Sequence, residues 1–187
     1  MANADAYMGF QPMGHVYNSR ISTRKFEIAS GYAVNIFTGD TVVLTTGKLA
    51  IGAVNSAVLL GVFAGCQFLD ASGVPGARFS PYWPASTVTT GAVAAIAHVW
   101  CDPGIIYRCQ SDTTTAYVDA THLMTYADCI LTHAGSTLTG ISGMELDLAA
   151  ESDAQFQVLG LIDEPGNAVG VNAKLAVRLR KSMFATN

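Results

Sequence analysis

The sequence predicts an all-β protein, mainly antiparallel: a small β-barrel or sandwich body with an extended N-terminal arm and little helix. Three observations carry that prediction. From residue 25 onward, short runs rich in Val, Ile, Thr, Phe and Tyr alternate with turns of Gly, Asn, Asp and Ser. The turns recur every several residues, which is the spacing of barrels and sandwiches. Only one stretch, "THLMTYADCILTHAG", places apolar residues (Leu123, Tyr126, Ala127, Ile130) at helical spacing, and its Thr and Cys content suits a strand equally well.

Residues 1–24 read as an arm. They mix Gly, Pro, Asn and Ser with isolated aromatics, Tyr7, Phe10 and Tyr17, and show neither period. Spaced apolar anchors imply that the arm lies on something, its own body or a neighbour. Residues 25–187 read as a single β-rich body. "KFEIA", "AVNIF", "TVVLTT", "LAIGAV" and "AVLLGVFAGCQF" are strands separated by "SGY", "TGD", "GK" and "NS". A long loop follows near 70–91, where Pro81 and Pro84 flank Tyr82 and Trp83. Proline has no place in a central strand, so these two aromatics either anchor a neighbour or plug the barrel.

"AVAAIAHVWCDPGIIYRCQSD" predicts a hairpin about an Asp-Pro-Gly turn, with Pro103 and Gly104 at its centre. Glycine- and acid-rich residues 134–155 read as a second long surface loop. The chain closes on a hairpin, "QFQVLGLIDEP" against "NAKLAVRLRKSMF", in which Leu175, Val177 and Leu179 share one face. Leu60-Gly61-Val62-Phe63 and Leu159-Gly160-Leu161-Ile162 repeat a leucine–glycine–aliphatic core. A glycine in mid-strand marks a bulge or a close backbone approach.

Charged residues make up 13% of the 187, about half the usual share, while half the chain is hydrophobic. A surface so poor in charge suits a subunit partly covered by neighbours. Residues 49–173 carry Arg78 and Arg108 against eleven acids, a net of −9; residues 174–187 carry Lys174, Arg178, Arg180 and Lys181 with no acid. A basic tail on an acidic body can dock on an acidic partner or on a sister copy. Four cations without interleaved aromatics make a poor nucleic-acid site. The N-terminus has no basic-then-apolar leader, and no apolar window is long enough to span a bilayer, so no membrane partner is expected.

Recognisable chemistry is sparse. His98, Cys101, Cys109, His122, Cys129 and His133 are six metal-capable side chains in one region. Tight zinc pairs occur here only in mixed form, His98/Cys101 and Cys129/His133; an i, i+3 pair in a strand points to opposite faces, which spoils the first, and the second requires a helix over 122–133. The four cysteines are expected to be reduced, mostly buried thiols, and no metal or cofactor is assigned. Cys101 beside Asp102 has the wrong neighbour for a thiolate nucleophile. "GISGM" (140–144) falls one glycine short of a hydrolase elbow, and the pairs Glu145/Asp147 and Glu151/Asp153 lack a calcium-loop pattern. No catalytic residue is expected.

Taken in order, "GFQP" (9–12), "IASGYAVNIFTGDTV" (28–42), "GVFAGCQF" (61–68), "SPYWPAS" (80–86), "DPGIIYRCQSD" (102–112) and "FQVLGLIDEPGNAVGVNAKLAV" (156–177) resemble the capsid decoration (cement) proteins of short-tailed bacteriophages of marine and freshwater bacteria. The resemblance implies a virion protein on the outer face of the capsid, assembled in the host cytoplasm. It implies a homo-oligomer, trimer or dimer, that clamps neighbouring major capsid subunits without catalysis. Tyr7, Phe10, Tyr17, Arg20, Arg24, Tyr82, Trp83, Arg178, Arg180 and Lys181 are the expected capsid or subunit contacts. On this view, removing residues 1–24 leaves a folded body that no longer binds heads. The alternatives are another virion part, such as a tail-tube or head-completion protein, and a metal- or thiol-dependent enzyme.

Overall fold

A computed structural model describes residues 3–52, 56–71, 78–91, 94–149 and 153–184. The chain begins with strands β1 (Gln11–His15), β2 (Arg24–Ile28), β3 (Ile36–Phe37), β4 (Thr41–Thr45) and β5 (Lys48–Ile51). β6 (Gly61–Phe68), β7 (Arg78–Ser80), β8 (Tyr82–Trp83), β9 (Ala95–Trp100) and β10 (Ile105–Gln110) follow. After a single helical turn, α1 (Asp119–His122), come β11 (Tyr126–His133), β12 (Gly143–Asp147), β13 (Phe156–Leu161) and β14 (Lys174–Leu179). The protein is nearly all-β, as its sequence predicts, and the ambiguous 121–135 stretch resolves mainly into strand β11.

Five strands close a small barrel in the order β4-β5-β2-β9-β6, with β4 pairing back onto β6 and β7 added outside β6. Its pairs are antiparallel except β2–β5. The tight β4–β5 hairpin turns through Thr46 (φ 50°) and Gly47 (φ 78°), the two left-handed residues that a twisted two-residue hairpin requires. Ile28, Val42, Leu49, Phe63 and Val99 fill the barrel. Trp83, from the β3–β8 pair, belongs to the same core. It is fully buried, meets Phe68 edge-on at 5.3 Å and donates its indole N–H to Tyr32 O at 3.1 Å. Of the two roles open to Trp83, the structure selects the plug, so Trp83 is not available as a partner contact.

The second sheet runs β1-β10-β14-β13-β11-β12, antiparallel throughout. Its inner face, including Tyr107, Phe156, Leu175, Val177 and Leu179, shares a core with Leu59 and Val62 of the barrel wall, with Val43, Ile51 and Trp100 packed alongside. The sheet therefore lies against the outside of the barrel. The predicted closing hairpin is present as β13–β14.

Three expectations change. The first concerns truncation: of the two supports left open for the arm it takes its own body, where β1 pairs along β10 and Phe10 is completely buried, stacked on Phe156 at 4.5 Å and 9°. Phe10 is thus core and no contact residue, and a body lacking residues 1–24 would lose part of its core and one sheet edge. The second long loop, 134–155, contains β12, because Met144, Leu146 and Leu148 alternate inward into the sheet core. The Asp-Pro-Gly segment does turn, with Ile105 N–H donating to Asp102 O at 3.2 Å, but it joins no hairpin. Both edges of β9 are taken by β2 and β6, so β10 leaves the barrel and starts the second sheet.

Candidate interaction surface

β10 carries β1 on one side and β14 on the other, with His15 opposite Ile105 and Arg178 opposite Ile106. The segment after β1, the Asp102–Gly104 turn and the end of β14 therefore meet at one end of the sheet. Val16 N–H donates to Gly104 O at 2.9 Å, and His15 Nε2 lies 3.4 Å from Asp102 Oδ1. Tyr17, 81% exposed, leans against the His15 ring at 5.8 Å. Two adjoining depressions sit here. One, of about 320 Å³, is lined by Tyr17, Asp102, Arg178, Arg180 and Phe184; the other, of about 250 Å³, by Ser22, Arg24, Cys101, Asp102 and Phe184.

The guanidinium groups are held in place rather than loose. Arg24 lies over the Phe184 ring at 4.8 Å, Arg180 over Tyr126 at 4.4 Å, and Arg178 Nε donates to Gln157 Oε1 at 2.8 Å. Stacking lowers the entropy each arginine loses on pairing with a carboxylate. Exposed Tyr, Phe and Arg grouped on a shallow surface are the side chains that dominate protein–protein contacts. By contrast, Lys174, in the same basic tail, is engaged by Glu164 at 2.6 Å together with Arg108 at 3.3 Å, and those cations hold the Glu164 carboxyl below the usual range.

Of the ten expected contacts, Tyr17, Arg24, Arg178 and Arg180 converge here. Arg20 is exposed and Lys181 half-buried. Tyr82 stacks on Phe37 at 5.4 Å, beside exposed Phe79 in a separate depression. Tyr7 packs against the His133 ring at 5.1 Å, near Asp5 and Glu145. Sequence reading missed Phe184 and Asp102 as members of the surface. Phe184 follows the tail's last cation, Lys181, by three residues, and that nearness was its signal in the sequence.

The chemistry-capable residues are largely spent on packing. All four cysteines are free and buried. Burial pushes the Cys66 thiol up to about 12 and Cys129 to about 11, and raises Cys109 and Cys101 as well; Arg24 opposes the rise at Cys101 and Asp102 adds to it. Of the six metal-capable side chains singled out in the sequence, only His133 joins a potential ligand cluster among the described residues, and its companions are Asp5 and Glu145. Burial raises the Glu145 carboxyl, Thr132 lowers it by donating a hydrogen bond, and Asp5 adds to the rise. Ser142 of the "GISGM" segment donates to Asp40 Oδ1 at 2.5 Å and accepts from Met144 N–H. Glu151 lies outside the described residues. No described helix is long and apolar enough to cross a membrane.

The fold and surface define an all-β protein with a cationic–aromatic patch at one sheet end. No family model, curated protein or solved structure matches the chain.

Proposed function

We propose that this chain is a virion structural protein, a capsid decoration subunit that grips the outer head surface and stabilises contacts between neighbouring major capsid subunits. The observation that carries this role is the convergence of Tyr17, Arg24, Arg178, Arg180 and Phe184 on one face of an otherwise acidic, charge-poor chain. The occupant we assign to that face is an acidic, ridge-like surface of the capsid shell, with carboxylates meeting the stacked guanidiniums. The resemblance of the strand-and-turn segments to phage decoration proteins supports the same role, and so does the burial of every thiol. Individually modest contacts suffice for such a protein, because symmetry repeats them and effective concentration multiplies them.

The test is binding to expanded heads assembled without the chain. Wild-type protein is expected to co-sediment with them in hundreds of copies per particle. The R178E/R180E double variant is expected to bind at least about tenfold more weakly while unfolding cooperatively near the wild-type midpoint, since Arg180 is exposed and half-buried Arg178 gives up a single bond to Gln157. Wild-type protein that ignores heads and is absent from purified particles overturns the proposal.

A further inference from the structure

We propose that Asp5, His133 and Glu145 form a zinc site that fastens the N-terminal segment to the β11–β12 edge of the second sheet. A carboxylate oxygen from each acid and a ring nitrogen of His133 lie within 4.8 Å of one another. His133 Nε2 and Asp5 Oδ2 are 3.3 Å apart. Tetrahedral zinc, with oxygen and imidazole ligands about 2.0–2.1 Å away, sets neighbouring ligand atoms about 3.3–3.4 Å apart. One edge of the coordination polyhedron is therefore already in place, and a Glu145 oxygen lies within 4.8 Å of both its atoms to complete the face.

Glu145 supplies an independent reason for a cation. It is only 2% exposed, and while Thr132 donates to its Oε2, its Oε1 is buried without any hydrogen-bond partner. A buried carboxylate oxygen without a donor is an expensive arrangement, and a bound cation relieves it.

Local backbone devices assemble the cluster. In regular pairing His133 would share a face with Leu131, away from Glu145. A bulge between Leu131 and His133 adds one residue, so that His133 pairs with Gly143, two positions from Glu145 and on its face. A Cβ at Gly143 would stand 2.5 Å from both His133 Cβ and His133 O, so only glycine permits the approach. Asp5 is held from both sides: Gln110 Nε2 donates to Ala4 O at 2.6 Å, and Ala6 N–H donates to Gln110 Oε1 at 3.0 Å. The Tyr7 ring limits rotation of His133.

The ligand set selects the metal. Calcium and magnesium favour all-oxygen shells, whereas zinc accepts one imidazole and two carboxylates and fills a fourth position with water. Asp5 is exposed, so that fourth position opens to solvent.

The experiment uses the full-length chain, stripped with EDTA and titrated with zinc against a chromophoric chelator. One equivalent is expected to bind, with D5N, H133Q and E145Q each weakening it at least about tenfold. In parallel, cobalt(II) is expected to give the visible bands of a four-coordinate site in wild type and to lose them in D5N. Because Asp5 is an exposed residue, D5N keeps the unfolding temperature of the metal-free chain, so the test stands even if E145Q does not fold. Absence of stoichiometric zinc in wild type overturns the proposal. So does equal affinity in wild type, D5N and H133Q, which would place the metal elsewhere, for instance on His15 and Asp102.

Discussion

Replacing Phe10 by alanine tests whether the N-terminal segment is part of the folded body. Phe10 is completely buried and stacked nearly parallel on Phe156, and its N–H donates to Gly39 O at 3.0 Å. Truncating a buried phenylalanine costs about 3–5 kcal/mol through lost transfer energy and the cavity left behind. The lost ring pair lies inside that range, since such stacking contributes about 0.5–1.5 kcal/mol. For a chain of this size each kcal/mol moves the midpoint by about 2–4 °C, so F10A should melt about 6–20 °C below wild type. Chemical denaturation at fixed protein concentration gives the free energy directly, with the m-value checking that the two unfold alike. Tyr17, nearby in sequence but 81% exposed, is the control: Y17A should stay within about 0.5 kcal/mol of wild type. If F10A also stays within about 1 kcal/mol, the segment is an appendage and its assignment to the core is wrong.

Other perturbations bear on the barrel and its buried chemistry. Asp40 is 1% exposed, and burial raises its carboxyl to about 6 despite bonds from Ser142 and the Phe37 N–H. A folded pKa above the unfolded 3.8 means the folded chain holds the proton longer. Stability from this group is then complete below about pH 4 and falls by about 3 kcal/mol as pH rises to about 6; D40N should flatten that slope in urea titrations. Thr46 adopts φ 50° in the β4–β5 turn, a conformation that costs a β-branched residue about 1–2 kcal/mol, so T46G or T46N should raise the denaturation midpoint. The four buried thiols should resist a disulfide reagent at neutral pH in the native chain and all react in denaturant; rapid native labelling of any one contradicts their burial.

What the sequence conveyed was local. Alternation in "KLAVRL" identified which side chains turn inward, because a strand's two faces are set by its own pleat. The Asp-Pro-Gly turn was equally legible, since Asp102 Oδ1 accepts from Gly104 N–H within three residues. The partner of β10 was not, because it depended on whether the edges of β9 were vacant, and β2, from far upstream, takes one of them. The region 134–155 was misjudged for a different reason: its glycines and acids outweighed a three-residue apolar alternation, Met144, Leu146 and Leu148, that decides its burial.

The two leucine–glycine strands show how one sequence pattern serves two physical needs. At Gly61 the issue is space: a Cβ would sit 2.2 Å from Trp100 O and 2.8 Å from Cys101 Cα, where the start of β6 lies beside the end of its antiparallel neighbour β9. At Gly160 the issue is the backbone: φ is +139°, at a bulge against β14, while a Cβ would meet only the movable side-chain end of Leu123, Cδ1 at 3.3 Å. Both reasons were available from the sequence, but their assignment was not, because each depends on which strand lies opposite. The same logic governs the cationic–aromatic patch. Arg178 and Arg180 were visible as a charged run, yet their meeting with Tyr17 across some 160 residues depends on β10 accepting β1 and β14 on its two edges, and Arg24 joins them through the pairing of β2 with β9. Under the proposed decoration role, a substitution that disrupts β1 pairing without touching Arg24, Arg178 or Arg180 should weaken head binding by displacing Tyr17 from the Asp102 turn. A merely electrostatic account of the tail predicts no such effect.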